Sequence, residues 1–259
     1  MELQGKVALV TGSGRGIGEA ICRKLSEHGA AVAVADIDGE SAGRVADDLK
    51  QGGIAAVGLR HDVVSWDSTA AAVADATAAL GPIDILVNNA GVTKQVALVD
   101  MDEQEWDRTL DINLKGTYLT CRHVLPGMIA REAGRIINVS SILGKNGIAY
   151  SAHYCASKFA VIGLTQSIAR EVGQFNITAN TVCPGIVESP MVDEVRQEMA
   201  SMSSEFGSPS DVARWMRGLS PLKRTQQPED IAEMVAYLAS DRAKNMTGGS
   251  YHVDGGIVA

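Results

Sequence analysis

Lys6-Val7-Ala8-Leu9-Val10-Thr11-Gly12-Ser13-Gly14-Arg15-Gly16-Ile17-Gly18 is the stretch that decides the fold. A short aliphatic run, fit for a buried strand, enters a turn carrying four glycines in seven residues. The amphipathic stretch Gly16–His28 follows, closed by Gly29. Strand, glycine-rich turn, helix is an arrangement that lets backbone approach a pyrophosphate closely and presents unpaired helix N–H groups to it. The strict G-x-G-x-x-G spacing is not met. Ile17 and Ile21 stand where the third glycine would fall, counting from Gly12 and from Gly16. The turn reads T-G-x-x-x-G-x-G instead.

The same rhythm continues outward. Lys6–Val10, Ala31–Ala35, Ala55–Leu59, Asp84–Val87, Arg135–Val139, Thr178–Val182 and Ser250–Val253 read as strands. Gly16–His28, Glu40–Gln51, Asp67–Leu80, much of Asp102–Glu132, Tyr154–Val172 and Glu229–Ala239 read as helices. Strands separated by helices predict right-handed crossovers, and so a parallel sheet with helices on both faces. The nearly all-apolar strands agree with burial on both sides. No linker or repeat divides residues 1–259, so a single α/β domain of the doubly wound, Rossmann type is expected. One polar, Met-rich segment breaks the rhythm between Met191 and Pro221. One or two short helices are expected there, in an excursion of functional rather than accidental length.

Composition narrows the function. Apolar residues make up 46% and charged residues 21% of the chain, an ordinary globular balance. The net charge of −8, with no Lys/Arg-dense run, argues against nucleic acid or anionic lipid as partner. No apolar run approaches the roughly 20 residues that span a bilayer. The N-terminal residues are too short and polar for a signal sequence, so a cytoplasmic protein is expected. Cys22, Cys121, Cys155 and Cys183 are scattered without metal-ligand spacing; reduced thiols and no metal are expected. The five histidines share no motif. Only His153, beside Tyr154, invites a place facing substrate.

Polar residues gather where such sheets bind ligands, at the carboxyl ends of the strands. Asp36 ends the second strand about twenty residues past the glycine turn, where an acid accepts ribose hydroxyls of NAD and repels the 2′-phosphate of NADP. Arg15 would favour that phosphate, but Ile37 supplies no second cation, so NAD is expected. Asn88-Asn89-Ala90-Gly91 follows the fourth strand, and Ser141 lies just past the fifth. Tyr154 and Lys158, four apart at a helix start, share one face. A free tyrosine titrates near ~10; a neighbouring ammonium and an oxidised nicotinamide would both favour phenolate.

Taken together, Thr11-Gly12-x-x-x-Gly16-x-Gly18, Asn88-Asn89-Ala90-Gly91, Ser141, Tyr154-x-x-x-Lys158 and Pro184-Gly185 resemble the motif series of the short-chain dehydrogenase/reductase family across essentially the whole chain. The resemblance implies a seven-stranded sheet, a homotetramer and a Ser-Tyr-Lys-Asn catalytic set. It implies Tyr154 as general acid/base, with Lys158 lowering its pKa and holding the nicotinamide ribose. Ser141 would bind the substrate oxygen, and Asn113 would support a water. For the cofactor it implies Gly12, Ser13, Arg15, Gly16, Ile17, Gly18, Asp36, Ile37, Asp62, Val63, Asn89, Ala90, Gly91, Pro184, Gly185, Val187 and Ser189, the last standing where the family commonly has Thr.

Ser141, Ile142, Asn146, Ser151 and Tyr154 are expected to line the substrate pocket, under a covering segment at about 190–221. Arg196, Arg214 and Arg217 are candidates to meet an anionic group. The covering segment is longer than the resemblance leads one to expect of 3-oxoacyl-carrier-protein reductases, and similar to acetoin/butanediol and sugar-alcohol dehydrogenases. The expected function is therefore NAD-dependent hydride transfer to or from a small polyol, hydroxyketone or sugar. The alternatives are a 3-oxoacyl thioester reductase using NADPH and, in another class, a catalytically silent nucleotide-binding scaffold or sensor.

Overall fold

The computed structural model describes residues 2–202 and 205–258. Seven parallel strands form one sheet: β1 (Val7–Thr11), β2 (Ala31–Asp36), β3 (Ala56–Arg60), β4 (Ile85–Asn88), β5 (Gly134–Val139), β6 (Ile177–Pro184) and β7 (Ser250–Val253). Their order across the sheet is β3-β2-β1-β4-β5-β6-β7. The chain winds one way from β1 to β3, then returns beside β1 with β4 and winds the other way. The crevice outside the strand ends at the β1/β4 boundary is the switch point where open α/β sheets take their ligands.

Alternation along each strand builds two cores. Ala8, Val10, Val32, Val34, Ile85 and Val87 face one side and pack on α1 (Gly16–Glu27), α2 (Gly39–Gln51) and α9 (Pro228–Ala239). Val7, Leu9, Ala33, Ala35 and Leu86 face the other and pack on α3 (Trp66–Leu80), α5 (Gly116–Arg131) and α6 (Ala152–Val172). The two-residue period of the pleat sends neighbours to opposite faces, and both faces are covered, so every residue of β1 is buried.

Local chemistry starts several helices. Asp38 accepts from the Glu40 and Ser41 amides at the head of α2, Ser65 from Ser68 at α3, and Asp102 from Glu105 at α4 (Glu103–Leu110). The segment between Pro190 and Leu219 resolves into α7 (Pro190–Met202) and α8 (Pro209–Leu219), the latter capped by Ser208. The long helical stretch expected over 102–132 is broken by a π-turn, Asp111–Lys115, between α4 and α5. α6 opens at Ala152, so Tyr154 is its third residue rather than its first. None of the described helices is long and apolar enough to cross a membrane.

Candidate active site

The glycine-rich turn is stitched to both neighbouring strands. Ser13 donates its hydroxyl to Val10 O at 2.8 Å and accepts from the Ala35 amide at 3.0 Å, tying the turn to β2. On the other side, Asn89 donates from Nδ2 to Thr11 O and Gly12 O at 3.1 and 2.8 Å. The amides of Asn89 and Ala90 in turn donate to Thr11 Oγ1. Gly12 sits at φ 60, and a Cβ there would lie 2.6 Å from Ala90 Cα. Gly12→Ala therefore has both a conformational and a steric cost, roughly 1–3 kcal/mol from the backbone alone. A lower denaturant midpoint with loss of dinucleotide binding is the expected outcome, checked by urea titration and by NADH fluorescence.

This turn suits a dinucleotide. Arg15 enters α1 extended and, among the described residues, no side chain caps that helix, so its first-turn N–H groups have no side-chain acceptor there. Gly16, at φ 59, has its nearest neighbours 3.9 and 4.0 Å from a built Cβ, on Ser189 and Pro190. The end of β2 lies alongside. Asp36 Oδ2 accepts from the Gly14 amide at 2.9 Å and Oδ1 from the Asp38 amide at 3.0 Å. Ile37 beside it is exposed. Asp36 pairs with Arg60 across β2 and β3, which brings Asp62 and Val63 to the adjoining strand end. Val63 is buried against Gly116 of α5.

A buried polar chain fixes α6 to the sheet. Asn88 donates to Asn138 Oδ1 at 2.9 Å, and Asn138 to Thr165 Oγ1 at 2.8 Å. Lys158, on the same helix, is buried, and its Nζ donates to Val139 O at 3.0 Å. An ammonium has three donors and this one spends only one among the described residues. Nζ lies 5.6 Å from the centroid of the Tyr154 ring. A Cβ on Gly91 would be 3.3 Å from both Lys158 Nζ and Asn113 Oδ1, so the bare glycine leaves room between these two groups.

Asn113 occupies the π-turn and is buried. Its Oδ1 accepts from the Val92 amide at 2.8 Å; its Nδ2 donates to Val92 O at 2.9 Å and Ser157 Oγ at 3.0 Å. Ser157 hands its own proton to Tyr154 O at 2.7 Å, so the π-turn and the backbone of the tyrosine are directly joined. Single π-turns recur where a side chain must be placed off the regular helical register.

Ser141 lies two residues past the end of β5 and caps the turn Ile142–Gly144: its Oγ accepts from the Leu143 amide at 3.0 Å, which leaves the hydroxyl proton to donate outward. Burial pushes the Tyr154 phenol up to about 12, with the Ser141 hydroxyl pulling against that rise. Burial also pushes Lys158 down, to about 8. Burial thus disfavours the charged form of both groups: the amine moves toward the neutral range, while the phenol moves away from it, against the lowering expected beside Lys158.

Pro184, Gly185, Val187 and Ser189 run from the end of β6 into α7, with a backbone bridge between Val187 and Gln226. Among the pocket candidates, Ile142 is buried in its turn and Asn146 is exposed, its amide bonded to Ile142 O. Three side chains are placed differently from the sequence expectation. Ser151 is fully buried and spends its hydroxyl on Gln95 Oε1 at 3.1 Å, so it supports α6 and does not line a pocket. Arg196 is buried in a bidentate pair with Glu188, 2.8 Å at each oxygen, and also meets Asp193, leaving no free fork for an anion. His153 is fully buried and turned to α4, with Nε2 3.6 Å from Glu105 Oε1, too long for a hydrogen bond. Gln95, Glu188 and Glu198 escaped sequence reading altogether. Their partners are distant in sequence or lie within a segment without a motif.

A family model described as short chain dehydrogenase matches residues 6–200. The 3-oxoacyl-[acyl-carrier-protein] reductase FabG of Staphylococcus aureus is 40% identical over 253 residues, covering 97% of this chain and 98% of its own length. That of Staphylococcus epidermidis is 39% identical over the same shares. Oxidoreductase UcpA of Salmonella typhimurium is 40% identical over 98% of this chain and 95% of its own.

Proposed function

Because the chain belongs to the short-chain dehydrogenase/reductase family, we propose that this oxidoreductase interconverts an alcohol and a carbonyl with NAD as its preferred cofactor, acting on a small polyol, hydroxyketone or sugar-type substrate. The observation that carries the chemistry is the convergence of Ser141, Tyr154 and Lys158 beside the glycine turn at the carboxyl edge of the sheet. When bound, the nicotinamide supplies or accepts the hydride. Tyr154 holds the proton that the substrate oxygen receives or surrenders. Ser141 donates its hydroxyl proton to that oxygen and orients it. Lys158 stabilises the phenolate through space and offers its two unspent donors to ribose hydroxyls. Asn113 keeps the Lys158 neighbourhood polar and anchors the Tyr154 backbone through Ser157.

Asp36 supports the NAD half of the proposal, since its carboxylate stands at the end of β2 with no side-chain cation bonded to it among the described residues. Asp36→Asn keeps an acceptor for the Gly14 amide but removes the charge. It is expected to lower discrimination for NAD over NADP by about tenfold or more, measured as the ratio of the two kcat/KM values. A second reading, reduction of a 3-oxoacyl thioester, is favoured by the FabG relatives. Assays of diketones, sugars and polyols beside acetoacetyl thioester separate the two. NADPH-linked turnover of the thioester alone would replace the first reading by the second.

The helices α7 and α8 serve in this reading as the lid of the substrate pocket. A homotetramer is proposed as the working assembly. The exposed Tyr118 on α5 and Phe159 on the adjacent α6 support an interface on that face, which sedimentation velocity would test.

A further inference from the structure

The segment following β4 touches both the lid and the entry to α6. Gln95 is buried, and its backbone N–H donates to Glu198 Oε2 of α7 at 2.9 Å. Its Oε1 accepts the Ser151 hydroxyl at 3.1 Å. The next amide, Val96, donates to Tyr150 O at 2.8 Å. Residues 95–96 thus grip residues 150–151 by two hydrogen bonds while one lid carboxylate grips residue 95. The bond to a carboxylate is of the stronger, charge-assisted kind.

What they grip is under strain. Tyr150 sits at φ 63, a left-handed conformation costly for a bulky side chain. Ser151 stands at the cap position of α6 but does not cap it with its side chain, its hydroxyl being committed to Gln95. The first helical bond, Cys155 N to Ser151 O at 2.8 Å, spans Tyr154. A strained entry and an uncapped first turn need outside support to hold one geometry.

We propose that Glu198 is a positioning residue: by seating α7 on Gln95 it fixes the first turn of α6, and so orders Tyr154 when the lid is down. The inference rests on the assignment of Tyr154 as the acid/base centre. It gives the lid a role beyond covering the pocket, since the lid then completes the support of the group that moves the proton.

Amide hydrogen exchange on the full chain tests this without substrate or cofactor. Glu198→Ala is expected to speed exchange at Gln95, Val96 and Cys155 by about tenfold. Glu198→Gln, which keeps an acceptor oxygen, should restore protection. Glu194→Ala, an exposed carboxylate one turn earlier in the same helix, should leave it unchanged. Should Glu198→Ala fail to fold, Gln95→Ala carries the test, since it cuts the link to Ser151 and should release Cys155 alone. Release of α7 and residue 95 with Val96 and Cys155 still protected would overturn the proposal, as would an unchanged Cys155 in Gln95→Ala. Neither result touches the Tyr154 assignment, which fails separately if Tyr154→Phe turns over.

Discussion

Tyr154→Phe is expected to bind NADH nearly as tightly as the parent chain and to lose turnover by about a hundred- to ten-thousandfold, the usual contribution of a positioned acid/base. The substitution removes one oxygen. The backbone of residue 154 stays tied to Asn113 through Ser157, and the glycine turn is untouched. Single-turnover kinetics and NADH fluorescence titration on the two proteins check the two halves of the expectation. Turnover retained within a few-fold would remove Tyr154 from the proton path. Ser141 would then be the remaining hydroxyl, already placed by its bond from the Leu143 amide.

Lys158→Met is expected to abolish turnover to a similar degree and to weaken dinucleotide binding, because it removes the buried charge facing the phenol. Its effect on stability is more diagnostic. Burial lowers Lys158 from 10.5 to about 8 in the folded chain. Below pH 8 the amine is protonated in both folded and unfolded states, and the fold bears the full cost of desolvating it. Between about 8 and 10.5 the folded chain sheds the proton while the unfolded chain keeps it, so the parent gains stability as pH rises. Above 10.5 both states are neutral there and the gain ends. The parent should therefore gain on Lys158→Met across that window, read as urea midpoints of the two proteins at pH 7, 9 and 10.5. Parallel curves would mean that the ammonium is not buried at a cost.

The sheet was legible because its physics is local. Seven runs of strand length, all but the last followed in the chain by a helical period, leave little choice but a parallel sheet covered on both faces. The positions of Asp36, Asn89 and Ser141 could be read by the same logic, since each stands at or just past the carboxyl end of a strand. The π-turn at Asp111–Lys115 was not. The periodicity through Asp102–Glu132 shows no break, and the extra residue is accommodated where Val92 and Ser157 hold the Asn113 amide.

Side-chain commitments were harder still. Arg196 reads as a cation free to meet substrate until Glu188, eight residues earlier, folds back onto it. Ser151 reads as a pocket hydroxyl until Gln95, 56 residues away, accepts its proton. Glu198 and Gln95 are 103 residues apart and neither belongs to a motif. Such pairs are set by tertiary packing, and a periodicity or a spacing carries no trace of them.

The proposed reaction is hydride transfer from a bound nicotinamide to a carbonyl carbon, with Tyr154 supplying the proton. NADH carrying deuterium at its transferable position, incubated with the chain and a panel of diketones, ketoses and acetoacetyl thioester, tests it most directly. The expected product is an alcohol deuterated at its carbinol carbon, formed from a diketone or ketose by the parent chain and not by Tyr154→Phe. A chain that binds the labelled dinucleotide yet leaves every carbonyl unlabelled would contradict it, and would make this fold a nucleotide-binding scaffold.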